Sequence, residues 1–244
     1  MNSFKAVFKR ELTGYFITPI AYVFLVIFLF FAGYRTFSYS GFYFSGQADL
    51  SLFFVNMPLC FGSLSLLIAM RLWSEDRKSG SIELLLTLPI TVNQAVLGKF
   101  FAAWLFMIIA LALTFPMVIT VSYLGDPDMG LILTGYLGCI LMAGGFLAVG
   151  SFFSALSKNQ IICCILSAVA CLMLYLCGMP TTMNYLSSFL PIGFISAIET
   201  LSFQTHFESI QKGVLKFSDL AYFILLMVGW LFACCVVLDE RKAS

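Results

Sequence analysis

Charged residues divide the chain into six long stretches that contain no Asp, Glu, Lys or Arg. Each stretch is long enough for a transmembrane α-helix, which needs about 20 apolar residues, whereas the strands of a membrane barrel alternate over about ten. The pattern therefore predicts an all-α protein that crosses a membrane several times. The stretches are 12–34, 50–70, 100–125, 129–157, 159–198 and 220–238.

The fifth stretch is too long for one crossing, and Gly178 and Pro180 offer a natural break in it. We expect one crossing over 159–181 and then a re-entrant or surface-lying segment over 182–217. A seventh crossing would be short and would contain Pro191. With six crossings, ten of the thirteen basic residues lie on one side of the membrane. The positive-inside rule then places that side, with both termini, in the cytoplasm.

Composition supports a membrane protein. Hydrophobic residues make up 61% of the 244 positions, charged residues make up 10%, and the mean hydropathy is +1.01. Soluble domains contain about 25% charged residues. We expect a single transmembrane domain over 1–244, with an N-terminal interfacial amphipathic helix over 1–15 that could also be the start of the first crossing. The expected crossings are 16–35, 50–71, 99–124, 130–157, 159–181 and 218–239, with a charged loop over 72–98.

The loop over 72–98 carries five charges before the third crossing in a chain that is otherwise poor in charge. Five charges at the bilayer centre would cost about 15 kcal/mol, at about 3 kcal/mol each, so this loop lies outside the membrane. Residues 79–81 offer a helix start, and Pro89 would end that helix. Thr91 and Gln94 have the spacing of a capping box for the next helix. The five charged residues are Glu75, Asp76, Arg77, Lys78 and Glu83.

Two interpretations of this loop remain open at the level of residue pattern. Its leucines and flanking charges fit a short helix that docks in a groove on a partner protein. They also fit an ordinary intracellular loop whose charges follow the positive-inside rule.

Cysteine and glycine patterns add little specific chemistry. The eight cysteines lie within apolar stretches without a CxxC motif, and the chain has one histidine, so we interpret the cysteines as buried apolar side chains rather than metal ligands. The chain has no GxxxxGK[ST] motif for nucleotide phosphates.

Five glycines leave part of the fourth crossing without side chains, which favours close approach of a neighbouring helix. Pro58 and Pro116 can kink the second and third crossings. The glycines are Gly135, Gly138, Gly144, Gly145 and Gly150.

The charged loop resembles a known family pattern. SEDRKSGSIELLLTLPIT, followed by LGKF, is similar to the pattern E-x-x-x-G-S/T-x-E-x-L-L-x-x-P-V/I-T of permease subunits of the ABC-2 group of ABC transporters. Residues 205–223, THFESIQKGVLKFSDLAYF, resemble the branch that contains the gliding-motility permease and the permease for nitrous-oxide-reductase maturation. With ELTGYFITPIAYVF at the first crossing, the resemblance covers nearly the whole chain.

The resemblance implies a permease subunit of the inner membrane that is not itself an enzyme. A coupling helix over 80–88 would dock on a separate ATP-binding cassette subunit, which acts as a dimer and holds the ATP and Mg. This chain would hold no cofactor, would pair with a second permease subunit, identical or related, and would have no nucleic-acid partner. The residues that match the docking pattern are Glu75, Gly80, Ile82, Glu83, Leu84, Leu85, Leu86 and Pro89.

The resemblance also suggests two further groups of residues. The second and fifth crossings would line the interface between permease subunits, which makes Asn56, Ser63, Ser65, Ser167 and Tyr175 candidates for the transport pathway. The outer side would carry re-entrant helices over the pathway. Candidates for an outer gate or for contact with an extracytoplasmic accessory protein are His206, Glu208 and Asp219.

Other functional classes fit the sequence less well. An ion-coupled secondary transporter or a channel would place ionisable residues inside the crossings, and the six stretches contain no Asp, Glu, Lys or Arg. An intramembrane enzyme would need a nucleophile and a base, or metal ligands, at membrane depth. Within the ABC transporter class, the sequence does not separate substrate export from transmission of force to envelope partners.

Overall fold

The computed structural model of the protein describes residues 3–39, 49–81, 90–188 and 191–243. The described residues are 86% helical and contain no strand, which confirms the all-α prediction. A π-helical turn, Arg35–Tyr39, continues the second helix. The helices are α1 (Ser3–Ile17), α2 (Pro19–Tyr34), α3 (Ser51–Leu72), α4 (Ser74–Ser79), α5 (Val92–Ala112), α6 (Phe115–Leu124), α7 (Met129–Leu156), α8 (Gln160–Leu176), α9 (Pro180–Ser187), α10 (Ile192–Glu199), α11 (Phe203–Gln211) and α12 (Phe217–Ala243).

Length and composition allow several of these segments to cross a membrane. Among the described residues, five helical segments are long and apolar enough: Pro19–Ser38, Ser51–Ser79, Val92–Leu124, Met129–Leu156 and Phe217–Glu240. Helix α8 is apolar but shorter. A polytopic membrane protein is therefore confirmed, whereas a sixth crossing by α8 stays a prediction.

Local sequence signals explain where several helices begin. The Thr91 hydroxyl accepts a hydrogen bond from the Gln94 amide while the Gln94 side chain accepts one from the Thr91 amide, so the predicted capping box is present at the start of α5. Asp128 and Asn159 cap α7 and α8 through side-chain oxygens that accept backbone hydrogen bonds. Pro19 occupies the first turn of α2, where its missing N–H costs nothing.

The third apolar stretch consists of two helices rather than one. Helix α5 ends at Ala112 and α6 begins at Phe115, with Pro116 in its first turn. The Thr114 hydroxyl donates to the Leu111 carbonyl oxygen over 2.6 Å and lies 3.0 Å from the Tyr136 hydroxyl, so a polar group at the break is satisfied within the protein. By contrast, Pro58 lies inside α3 without ending that helix.

Helix α7 lies at the centre of the bundle and packs against α3, α5, α8, α11 and α12. Cβ atoms on four of its glycines, Gly135, Gly144, Gly145 and Gly150, would lie less than 3.0 Å from side chains of α3, α11 or α12. A Cβ atom on Gly150 would lie 2.3 Å from the Ala69 Cβ atom, and one on Gly135 would lie 2.6 Å from the Phe54 ring. The close helix approach expected from these glycines is therefore found in the structure.

The outer surface of the bundle is apolar, as a lipid environment requires. Helix α8 exposes Ile161, Ile165 and Leu172, and α12 exposes Leu225 and Phe232. The buried face of each helix is turned toward α7 and its neighbours. An apolar exterior of this kind is stable in lipid and unstable in water.

Helix α11 closes the end of the bundle that carries the 191–217 region. It buries Phe203, Phe207 and Ile210 against α7 and its neighbours. The helix ends at Gln211, Gly213 follows with a φ of +83° that suits glycine, and the Val214 amide donates to the Ser209 carbonyl oxygen. The short helices α9 and α10 pack against each other. Their re-entrant or surface-lying position in a membrane stays a prediction.

Candidate functional site

A buried ammonium group lies at the end of the bundle where α1, α3, α4 and α5 meet. Lys99, in α5, is only 3% exposed. Its Nζ atom lies 2.7 Å from an Asp76 carboxylate oxygen and 3.2 Å from a Glu11 carboxylate oxygen, and it donates a hydrogen bond to the Leu72 carbonyl oxygen over 3.0 Å. The three acceptors belong to α4, α1 and the end of α3.

This arrangement satisfies a charge that would otherwise be costly to bury. Two carboxylates lie within ion-pair distance of the ammonium group, and one backbone carbonyl oxygen accepts a hydrogen bond from it. The Trp73 ring lies 5.2 Å from Nζ and adds a cation–π contact. Removal of one partner from a buried ion pair typically costs about 3–5 kcal/mol, because it leaves an uncompensated charge. Lys99 therefore connects α5 to α1, α3 and α4, and separation of these helices at this site is unfavourable.

Helix α4 is attached to the end of α7 by a second set of hydrogen bonds. The backbone amides of Trp73 and Ser74 both donate to the Ser154 hydroxyl oxygen, over 3.0 and 3.2 Å, and that hydroxyl donates to the Met70 carbonyl oxygen. The Arg77 guanidinium donates to the Ala155 carbonyl oxygen over 2.7 Å. The charged helix is thus fixed to the core helix as well as to α1 and α5.

Helix α1 lies directly against α5 at this end of the bundle. A Cβ atom on Gly98 would lie 2.9 Å from a methyl group of Val7. The Tyr15 ring stacks on the Phe106 ring, with centroids 5.1 Å apart. The apolar face of α1 that the sequence predicts for a membrane interface therefore packs in part against protein.

A cavity of about 330 Å³ opens beside Lys99. Its apolar wall includes Phe24, Ile68 and Phe106. Burial raises the pKa of the Tyr15 phenol and the Glu11 carboxylate raises it further, so that Tyr15 presents a protonated hydroxyl group to this region. The charged residues that line the cavity are Arg10, Arg71, Lys99, Glu11, Glu75 and Asp76.

The predicted docking residues fall only partly within the described structure. Glu75 has a half-exposed carboxylate that pairs with Arg71 over 2.9 Å. Gly80 ends α4 with a φ of +75°. Ser81, directly after Gly80, is helical, and residues 82–89 lie outside the described residues, so the helix start at 79–81 stays a prediction. The remaining docking residues, Ile82, Glu83, Leu84, Leu85, Leu86 and Pro89, lie outside the described residues.

Sequence reasoning missed the residues that organise this site. In the sequence pattern, Asp76 is only one of the five charged residues of the loop. Lys99 is only one of the ten basic residues on the predicted cytoplasmic side. One signal was available, because Lys99 follows Gly98 inside an otherwise apolar helix start, where an ionisable residue requires a partner. The identity of that partner was not readable, since Glu11 comes from a different part of the chain.

The predicted pathway residues do not form one cluster. Ser63 and Tyr175 line an apolar cavity of about 460 Å³ between α3 and α8, together with Phe31 and Leu172. Asn56 accepts two hydrogen bonds from the Arg35 guanidinium near the other end of α3. Ser65 and Ser167 are fully buried. The structure therefore brings together Ser63 and Tyr175 of the five candidates.

Two of the three predicted outer residues are in contact. The His206 Nδ1 atom lies 2.7 Å from an Asp219 carboxylate oxygen, and Nε2 lies 3.0 Å from the Thr200 carbonyl oxygen. The imidazole stacks on the Tyr222 ring, with centroids 4.1 Å apart. Glu208 instead forms an exposed ion pair with Lys212. His206 and Asp219 thus tie α11 to the start of α12.

In the part of the chain that the structure describes, no three or more His, Cys, Asp or Glu side chains are grouped so that they could hold a metal ion. All eight cysteines are free thiols. The chemistry of the site at Lys99 is therefore that of ion pairs and hydrogen bonds between helices.

Comparison with known proteins adds one finding. A family model described as CcmB protein matches residues 57–183, just over half of the chain. The match begins within α3, continues through α4, α5 and α7, and ends in α9, so that it includes Asp76 and Lys99 but not Glu11. No curated protein matches the chain.

Proposed function

Because the chain belongs to the CcmB protein family, whose members are the membrane permease components of ABC-type exporters, we propose that it couples ATP hydrolysis by a separate subunit to movement of its membrane helices. Permeases of this family work with an ABC ATPase partner. The docking surface would be the exposed side of α4, with Glu75 and Lys78, and the residues that follow this helix up to the start of α5.

The observation that supports this proposal most directly is the attachment of α4 to several helices at once. Lys99 links α4 to α1 and α5, and Ser154 links the start of α4 to α7. A displacement of α4 by a partner would therefore be transmitted to helices α1, α3, α5 and α7 together. An ordinary loop between two crossings would not need such attachments.

The exposed side of α4 supports docking. Glu75, Lys78 and Gly80 are exposed, whereas Trp73 and Ser74 on the same turn are buried. The water-facing residues lead directly into the leucine-rich stretch 82–89, whose pattern matches the coupling helix of ABC-2 permeases. A short helix with apolar anchors and charged flanks fits a groove on a partner protein.

Packing near the same surface supports a sidedness for the protein. The start of α1 packs against α5 near Lys99, and the Cys234 thiol in α12 contacts the Ser151 carbonyl oxygen one turn before Ser154. The start of α1 and the last part of α12 are therefore at the α4 end of the bundle, which supports an even number of crossings. We propose that this end faces the cytoplasm, where ATP is available, and that the membrane is the inner membrane.

The complex would contain two permease subunits, identical or related, because the ATPase subunits act as a dimer. We propose that α3 and α8 face the second permease, since the apolar cavity lined by Ser63 and Tyr175 opens between them. The pathway, the direction of transport and a role in force transmission all belong to this proposal. The apolar character of the cavity favours an apolar or amphiphilic substrate over a hydrophilic one.

Copurification with the ABC ATPase tests the docking role. Ile82→Asp and Glu83→Ala should each reduce the amount of ATPase that copurifies with the tagged permease by at least fivefold. Glu208→Ala provides a control, because it removes an exposed carboxylate and its ion pair at the other end of the bundle. Undiminished copurification with both docking variants would overturn the proposal.

A further inference from the structure

We propose that Lys99 is the positioning residue that makes the N-terminal helix α1 part of the coupling machinery. The inference rests on the proposed function and extends it to a residue outside the docking surface. Lys99 contacts Asp76 on the docking helix and Glu11 on α1 with the same ammonium group. Motion of α4 would therefore be conveyed to α1 through one buried atom.

The contacts on the two sides of Lys99 are unequal. Asp76 lies closer to Nζ, at 2.7 Å, than Glu11 does, at 3.2 Å. Glu11 has a second cation, because the Arg10 guanidinium lies 2.6 Å from its other carboxylate oxygen. The Glu11 contact can therefore break without leaving that carboxylate uncompensated. These distances indicate that Lys99 stays paired with Asp76 on α4, whereas Glu11 on α1 can exchange Lys99 for Arg10.

Room for this exchange is present beside the ammonium group. The cavity of about 330 Å³ is lined by Lys99, Glu11, Asp76 and Arg10. The Glu11 side chain therefore has open space beside it. A switch between two discrete pairings is the kind of element that transmits a conformational change.

The ion pair is not needed to hold α1 in place. Helix α1 already packs on α5 through Val7 against Gly98 and through Tyr15 against Phe106. The Phe4 ring adds an edge contact to Phe101. Since these apolar contacts fix α1 independently, loss of the charges should change coupling more than it changes attachment.

Three variants separate positioning from simple charge compensation. Lys99→Met removes the ammonium group and keeps an apolar stem of similar shape, but it leaves two carboxylates without it. Lys99→Met combined with Glu11→Gln and Asp76→Asn removes all three charges. Lys99→Arg keeps the positive charge. Each is studied in the complete permease–ATPase complex in proteoliposomes, with melting temperature, copurified ATPase and ATPase rate as the measured quantities.

The neutral triple variant gives the decisive result. We expect its melting temperature to be within a few degrees of the parent protein and its copurified ATPase to be within twofold. The parent permease changes the ATPase rate by a certain amount, and we expect this change to be at least fivefold smaller with the triple variant. We expect Lys99→Arg to retain more than half of the parent's change in ATPase rate. Parent-like ATPase control in the triple variant would overturn the inference, because Lys99 would then only compensate buried carboxylates.

Failure of this inference is distinguishable from failure of the proposed function. If the parent permease neither copurifies with an ABC ATPase nor changes its rate, the proposed function fails. If the parent protein does both and the triple variant does both equally well, docking stands and only the role of Lys99 is refuted. If Lys99→Met does not fold, the triple variant still decides, because it contains no unpaired carboxylate at this site.

Discussion

The Ser154 hydroxyl accepts hydrogen bonds from the backbone amide of Trp73, at 3.0 Å, and from the amide of Ser74, at 3.2 Å. These residues are about 80 positions apart in the chain. The start of the charged helix α4 is thereby held at the end of the central helix α7, and neither element could be moved alone.

Ser154→Ala should destabilise the protein measurably. It leaves two buried backbone amides without an acceptor, and each unsatisfied group costs about 1–3 kcal/mol. Ser151→Ala is a matched control one turn earlier in α7, because the Ser151 hydroxyl donates only to a carbonyl oxygen of its own helix. Thermal unfolding in detergent should show a clear decrease in melting temperature for Ser154→Ala and a smaller decrease for Ser151→Ala. Equal decreases would mean that the hydrogen bonds between Ser154 and α4 do not stabilise the protein.

Gly150→Ala should disrupt the contact between α7 and α3. The new methyl group would lie 2.3 Å from the Ala69 Cβ atom, and overpacking of this kind typically costs about 1–3 kcal/mol. Gly229→Ala in α12 is the control, because no atom lies within 4 Å of its added methyl group. Melting temperatures should fall for the first variant and stay level or rise for the second. Addition of Ala69→Gly should restore stability, and a double variant as unstable as Gly150→Ala would contradict the packing argument.

His206→Phe should loosen α11 at the end of the bundle opposite α4. The ring would still stack on Tyr222, but Asp219, which is only 4% exposed, would lose its imidazole partner. Hydrogen exchange of the Phe203–Gln211 amides should accelerate at least tenfold. Glu208→Gln on the same helix removes only an exposed ion pair, worth about 0–1 kcal/mol, and should leave that exchange nearly unchanged. Equal exchange rates in the two variants would show that the His206–Asp219 contact does not hold α11.

Leu172→Trp should weaken pairing of permease subunits. Leu172 lines the cavity between α3 and α8 and is exposed on the face that we propose for the second permease. An indole at this position would fill the cavity and obstruct a close partner. Leu225→Trp on the exposed face of α12 is the control for added aromatic bulk in lipid. The fraction of paired permease, measured by subunit counting in membranes, should fall only for Leu172→Trp, and an equal fraction in both would argue against this interface.

Much of the helical framework could be predicted because its causes are local. Charge-free stretches predict apolar helices, and Thr91 with Gln94 predicts the start of α5, since each signal involves neighbours along the chain. The glycines of α7 predict close packing, although not which helix each one faces.

The organisation of the candidate site could not be predicted because it depends on contacts between distant residues. Lys99 pairs with Glu11 and Asp76 only after α1, α4 and α5 have come together. The charged residues after α3 were predicted as a loop, yet those from Glu75 to Lys78 form a helical turn because Ser154 and Lys99 hold it in place. Gly80 ends that helix in the left-handed conformation that suits glycine.

Coupling requires contact between an ATP-hydrolysing partner and the exposed side of α4 with the segment that follows it. The most direct measurement places a photo-crosslinking amino acid at the exposed position 78, and separately at the exposed position 208, in the intact complex. We predict a covalent adduct with the ABC ATPase from position 78 and none from position 208. An intact complex that gives no adduct from position 78, or gives one only from position 208, would contradict the proposed coupling role.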